Sequence, residues 1–229
     1  MKRIAGLALI TALLVSVNPG AQASHAWANY HWGRTSNPFS LKIVDSVVGN
    51  WDPLLRAVST DWGASSVINT RIQGGNTSLV QRLNCAPISG KIRVCNANYG
   101  PNLWFGLATV WLSNGHIFQA VTQVNDFHFS GQYANKTAKR HVLCQEVGHD
   151  FGLDHHRQAS CMDDTNSTLN NPAYLRPNSH DYEQLVTIYS HSDSVNTARA
   201  ASAARLRLPD KVQQVGKVTV LTYVFWVTE

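Results

Sequence analysis

Hydrophobic positions recur along this chain with two periods, and the switches between them mark its elements. Residues 41–44 (Leu-Lys-Ile-Val) are apolar and β-branched, the pattern of a strand. Between Trp51 and Trp62 the spacing is helical: Leu54, Leu55 and Val58 share a face, and Asp52-Pro53 suits a first turn. Residues 67–72 alternate and read as a strand, residues 74–77 as a Gly-rich loop, and residues 91–95 as another alternating strand. Residues 107–112 and 117–124 flank Ser113-Asn114-Gly115, and Asn-Gly supplies the positive φ angles of a tight turn, so this stretch predicts a β-hairpin.

A helix follows over 137–151 with Gly152 just past its end, then a Pro/Asn-rich loop over 170–177. A second long helix is expected over 179–189, with Ser179 as N-cap and Asp181 and Glu183 in its first turn. Residues 192–211 are rich in Ala, Ser and Arg and read as weakly folded. Residues 217–227 alternate through Val218, Val220, Thr222, Val224 and Trp226, a terminal strand that joins a sheet or packs on the body. This order predicts one α+β (mixed α/β) domain with a mixed sheet.

The first residues fix the compartment. Lys2 and Arg3 precede an uncharged apolar run over 4–17, then Asn18-Pro19-Gly20 and the small-x-small triplet Ala21-Gln22-Ala23. That is the layout of a secretory signal peptide, residues 1–23, and the run is short for a membrane anchor, which needs about 20 apolar residues. The division expected is therefore 1–23 signal peptide, 24–190 folded domain and 191–229 a tail with a terminal strand. A secreted product, extracellular or periplasmic, with no membrane association after cleavage is implied. The formal charge of +5 falls by two when Lys2 and Arg3 are lost, and no basic cluster carries interleaved aromatics, so nucleic acid is not an expected partner. A monomer is expected.

Four cysteines, Cys85, Cys95, Cys144 and Cys161, make an even set in an oxidising compartment, where disulfides are favoured over thiolate metal ligands. Three pairings are possible. Cys85 with Cys95 is the local choice, because Gly90 lies midway and can turn the chain, and it leaves Cys144 with Cys161.

The chemistry concentrates between Thr137 and Asp164. Gln145 and His149 are four residues apart, so they stand one turn apart on the same helix face, with Glu146 beside them. Two ligands at this spacing with an acidic neighbour make a metalloprotease half-site. Gly152 can end the helix in a left-handed conformation, after which His155 can return to the same metal; three protein ligands and one open position are what a catalytic zinc needs. Met162 follows seven residues later, within Ser160-Cys161-Met162-Asp163-Asp164.

From Glu146 to Met162 the chain resembles the metzincins, whose signature is His-Glu-x-x-His-x-x-Gly-x-x-His followed by a Met-containing turn. The short gap before Met162 looks most like the matrixin branch. The resemblance implies a zincin domain with a twisted mixed sheet, an active-site helix, a Met-turn and a C-terminal helix. It implies Zn2+ as cofactor, Gln145, His149 and His155 as its ligands, Glu146 as general base and Met162 as hydrophobic floor. The activity implied is secreted metalloendopeptidase hydrolysis of protein or peptide substrates by metal-activated water. The substrate is expected to add antiparallel to an edge strand, for which residues 106–111 are the candidate.

Two positions depart from the pattern. Gln145 stands where the family has His, and an amide oxygen is a poorer zinc donor than imidazole. Asp164 stands where several metzincins carry a Tyr that holds the transition state. His141 lies eight residues before His149, about 12 Å along a helix, too far to share its metal. His156 and Asp154, flanking His155, are the closer substitutes. His25, His31, His116, His128 and His191 show no partner pattern and read as surface or core histidines. The alternative function is a metzincin-fold binding protein with little or no catalysis, favoured by Gln145 and Asp164, whereas retention of Glu146 favours the enzyme.

Overall fold

The computed structural model describes residues 25–199, 213–215 and 217–227. The segment read as a signal peptide lies outside the described residues, as do residues 200–212. Among the described residues, twelve strands and α-helices run in chain order: β1 (His31–Trp32), β2 (Phe39–Ser46), α1 (Trp51–Trp62), β3 (Ile68–Gly74), α2 (Leu79–Asn84), β4 (Lys91–Ala97), β5 (Trp104–Ser113), β6 (His116–Asn125), α3 (Lys136–His149), α4 (Ser179–Ile188), β7 (Gln213–Val215) and β8 (Val218–Trp226).

The sheet is mixed, as expected. Its order is β3-β2-β4-β6-β5-β8-β7, with β1 pairing alongside the start of β6. β3, β2, β4 and β6 are mutually parallel, and β5, β8 and β7 follow antiparallel. The hairpin turn is the one the sequence implies, with Asn114 at φ 51 and Gly115 at φ 79. Strands β5 and β6 are buried over nearly their whole length. Their continuous apolar runs therefore do not alternate.

The core lies between the sheet and α1, α3 and α4. Helix α1 buries Trp51, Leu54, Leu55, Val58 and Trp62, the face its spacing defines. Trp62 donates from Nε1 to the carbonyl of Cys144 at 3.0 Å, which ties α1 to α3. Helix α3 is buried from His141 to His149. Both expected disulfides are present, Cys85–Cys95 and Cys144–Cys161, and the second joins α3 to the Met162 turn.

Three local readings are corrected. The cap of α4 is Asn178, not Ser179: Asn178 Oδ1 accepts from the Asp181 amide at 3.1 Å and Asp181 Oδ2 accepts from the Asn178 amide at 2.7 Å, a capping box that outcompetes the hydroxyl one residue later. Helix α2 has no counterpart in the sequence pattern, because Leu79, Val80 and Leu83 are exposed and trace no buried face. Residues 192–199, read as weakly folded, are pinned: the Asp193 amide donates to the Arg34 carbonyl at 2.8 Å and the Thr197 amide to the Gly33 carbonyl at 2.9 Å.

Helix α3 ends at His149, and the chain turns through Gly152 at φ +96. A β-carbon at that position would overlap the Tyr30 carbonyl. Both the backbone angle and the close approach require glycine there. Gly152→Ala is expected to lower stability by at least about 2 kcal/mol, measured by denaturant unfolding; a variant as stable as the parent would show that this turn relaxes without cost.

Candidate metal centre

The turn after α3 brings His155 back to His149. Their Nε2 atoms stand 2.9 Å apart, with the rings edge to face at 4.5 Å between centroids. His149 Nδ1 lies 2.8 Å from the Leu153 carbonyl, which can only accept, so Nδ1 carries the hydrogen and Nε2 presents a lone pair. His155 Nδ1 faces Asp164 Oδ2 at 3.7 Å, an ion-pair distance rather than a hydrogen bond. With the hydrogen on His155 Nε2 the two rings are hydrogen-bonded at 2.9 Å; with it on Nδ1 both Nε2 lone pairs are available to one cation. Nitrogens both about 2.0–2.1 Å from a tetrahedral zinc would be about 3.3 Å apart, a few tenths of an ångström wider than the spacing seen.

Gln145 stands one turn before His149 on α3 and is fully buried, and neither its oxygen nor its nitrogen has a hydrogen-bond partner. Glu146 is also fully buried with both oxygens unpartnered. Buried polar atoms left in this state are costly and rare, and four of them on one helical turn beside two imidazole nitrogens fit a metal and its attendant solvent. The donor set therefore suits zinc, with one amide oxygen, two imidazoles and a non-ligating carboxylate.

Electrostatics follow burial. Glu146 is pushed well above the ordinary carboxyl range by burial first and by the nearby Asp150 second. Asp150, also buried, is raised by burial, against which a 2.7 Å hydrogen bond from Thr122 acts. His149 is held well below the usual imidazole value by burial and then by His155. Burial lowers His155 too, opposed by Asp164 and Asp154.

Glycines make the room. A β-carbon on Gly106 of β5 would lie 2.6 Å from Glu146 Oε1 and 2.8 Å from Val142, so the Glu146 carboxyl rests against the bare backbone of β5. Gly148 is equally tight against the Met162 sulfur and Trp62, which places Met162 directly beneath α3.

The suggested substitutes for Gln145 are engaged elsewhere. His156 points away, with Nε2 2.7 Å from Asp181 Oδ1. Asp154 accepts from the His155 amide at 2.7 Å. His141 lies with Nε2 3.0 Å from the Asp163 carbonyl. Asp164 does not replace the missing Tyr; it serves His155 and Arg157, at 3.7 and 3.2 Å.

The expected substrate edge requires correction. Residues 106–111 lie within β5, which is no edge strand: β8 pairs with it antiparallel from Trp104↔Trp226 to Ser113↔Val218. Tyr223 of β8 stacks on His149 at 4.1 Å with an interplanar angle of 8°, and meets His155 edge-on at 5.3 Å. Its hydroxyl is pushed far above the usual phenol range by burial and then by its bond to Asp154. The terminal strand was legible in the alternation of 217–227, but nothing in that pattern says where it docks.

No family model matches the chain, and no curated protein matches it. Among solved structures, archaemetzincin from Archaeoglobus fulgidus, in complex with malonate, is similar over 64% of this chain and 99% of that one, at 15% identity and a TM-score of 0.39. What the site can do is therefore decided by its own residues.

Gln145→His, which supplies a third imidazole, is expected to tighten zinc binding by about tenfold or more, about 1.4 kcal/mol, in calorimetric titration of the metal-stripped protein. Equal affinities would mean that position 145 does not face the metal.

Proposed function

We propose that this chain is a secreted zinc-dependent metalloendopeptidase of the metzincin type, whose own C-terminal strand holds the place of its substrate. The observation that carries this reading is the pair of imidazole nitrogens 2.9 Å apart with an unpartnered, fully buried Glu146 on the adjoining helical turn. Support for export comes from the leader-like residues 1–23 and from the two disulfides. Among the described residues no helix is long and apolar enough to cross a membrane.

When bound, zinc supplies a Lewis acid that lowers the pKa of water and polarises the scissile carbonyl. Gln145, His149 and His155 would hold it. The Leu153 carbonyl and Asp164 orient the two rings. Glu146 accepts the proton from the attacking water at its carboxylate and returns it to the leaving amine. Strand β5 offers its backbone to an extended peptide running antiparallel, the arrangement β8 adopts. Gly106 leaves that peptide and Glu146 within reach of each other.

With β8 in place, Gln145, Glu146 and His149 are fully buried, so a peptide enters only after β8 leaves. This closure also favours a second reading, a metzincin-fold protein that binds partners with little catalysis, in which β8 is a permanent strand.

Removing β8 separates the two. A chain ending at Arg199, or a full chain cut after folding at a protease site placed between 200 and 212, is expected to cleave unstructured protein such as casein faster than the intact chain. A chelator is expected to abolish the activity, and Glu146→Gln to lower it by roughly a hundredfold or more while zinc content is kept. Released protein with no chelator-sensitive cleavage would support the binding reading. Cleavage undiminished by Glu146→Gln would remove Glu146 from the mechanism.

A further inference from the structure

A second group of histidines meets on β1, β6 and the segment after α4. Strand β1 pairs parallel with β6 in a register that sets His31 opposite His116. The segment after α4 brings His191 and Asp193 to the same place. His31 Nε2 lies 3.1 Å from His191 Nε2. Around Asp193, His116 Nε2 is 3.2 Å and His191 Nε2 3.3 Å from Oδ1, and His31 Nε2 is 3.4 Å from Oδ2 and 3.5 Å from Oδ1. Ligand atoms about 2.0–2.2 Å from a tetrahedral zinc are about 3.3 Å from one another. We propose that His31, His116 and Asp193, whose ligand atoms converge, form a second zinc site beside His191, one that locks the fold and takes no part in catalysis.

The surrounding groups argue for a cation. His31 Nδ1 lies 2.7 Å from the Asn29 carbonyl, so it carries the hydrogen, and Nε2 of the neutral ring has its lone pair on the side of Asp193 where a cation would sit. Asp193 is itself positioned: its Oδ2 accepts from the Arg34 amide at 3.1 Å and from the fully buried Arg34 guanidinium at 2.5 Å, leaving Oδ1 turned toward the imidazoles. A backbone carbonyl behind a histidine and an arginine behind a carboxylate are the outer contacts that orient ligands at metal sites. The Arg34 charge on the far oxygen sets the affinity below that of a site with a free carboxylate. Two imidazoles and one carboxylate are donors that zinc takes.

The site joins three segments: β1, the start of β6 and the chain after α4. Zinc there would fasten the N-terminal strand and the far end of α4 to the hairpin.

Native mass spectrometry of the metal-stripped full chain, reloaded with zinc, tests the proposal. His116→Ala and, separately, His31→Ala are each expected to bind one zinc fewer than the parent. His116 is the milder change, since its side chain is partly exposed at the start of β6. The readout is the difference between parent and variant, so it holds whether or not the centre on α3 binds metal. In a His149→Ala, His155→Ala background the remaining zinc is expected to persist and to vanish on adding His116→Ala. Thermal unfolding of the parent should shift upward with zinc more than that of His116→Ala. A zinc count unchanged by both single substitutions overturns the proposal.

Discussion

Two imidazole nitrogens held face to face, His149 Nε2 and His155 Nε2, set the demands that the neighbouring structure meets. His149 is fixed because α3 ends there and its Nδ1 reaches the Leu153 carbonyl one turn later. His155 is fixed because the chain reverses through Gly152, whose left-handed angle lets it pass against Tyr30. Trp32 closes the same corner by donating to the Asp150 carbonyl at 2.8 Å. Below, the Cys144–Cys161 bridge and the contact of Met162 with Gly148 hold the following turn against the helix. Each of these contacts limits how far the two rings can separate. Together they keep the two rings side by side.

The candidate centre is closed by the chain itself. Strand β8 gives β5 the backbone hydrogen bonds that an extended peptide would give, and Tyr223 lies flat on His149. An edge strand with unpaired amides and carbonyls beside a reactive site is a liability, and pairing it is one way a protein covers such an edge.

Much of this was legible in the sequence, for local reasons. Helix α1 was read correctly because its buried face is written at helical spacing. The hairpin was read because Asn114-Gly115 specifies its own backbone angles. The candidate centre was legible because Gln145, Glu146, His149, Gly152, His155 and Met162 lie within one short stretch whose spacings carry geometry. Features that depend on distant partners were not legible. The docking of β8 is chosen by which edge is free, and alternation does not encode that. The second histidine group draws from positions 31, 116 and 191–193, so no spacing announces it; only the β1–β6 register brings His31 to His116. Helix α2 escaped because its apolar residues face outward. The cap at Asn178 was misplaced by one residue because Asn178 and Ser179 are both good caps, and only the reciprocal bond to Asp181 decides between them.

In the proposed enzyme one metal sits between His149 and His155 with Gln145 as its third protein ligand. Anomalous diffraction at the zinc edge, from crystals of the full chain grown with zinc, is expected to show a peak about 2.0–2.1 Å from both Nε2 atoms, with the Gln145 side-chain oxygen as the next nearest protein donor. Density showing the two rings in direct contact with no peak between them would contradict it.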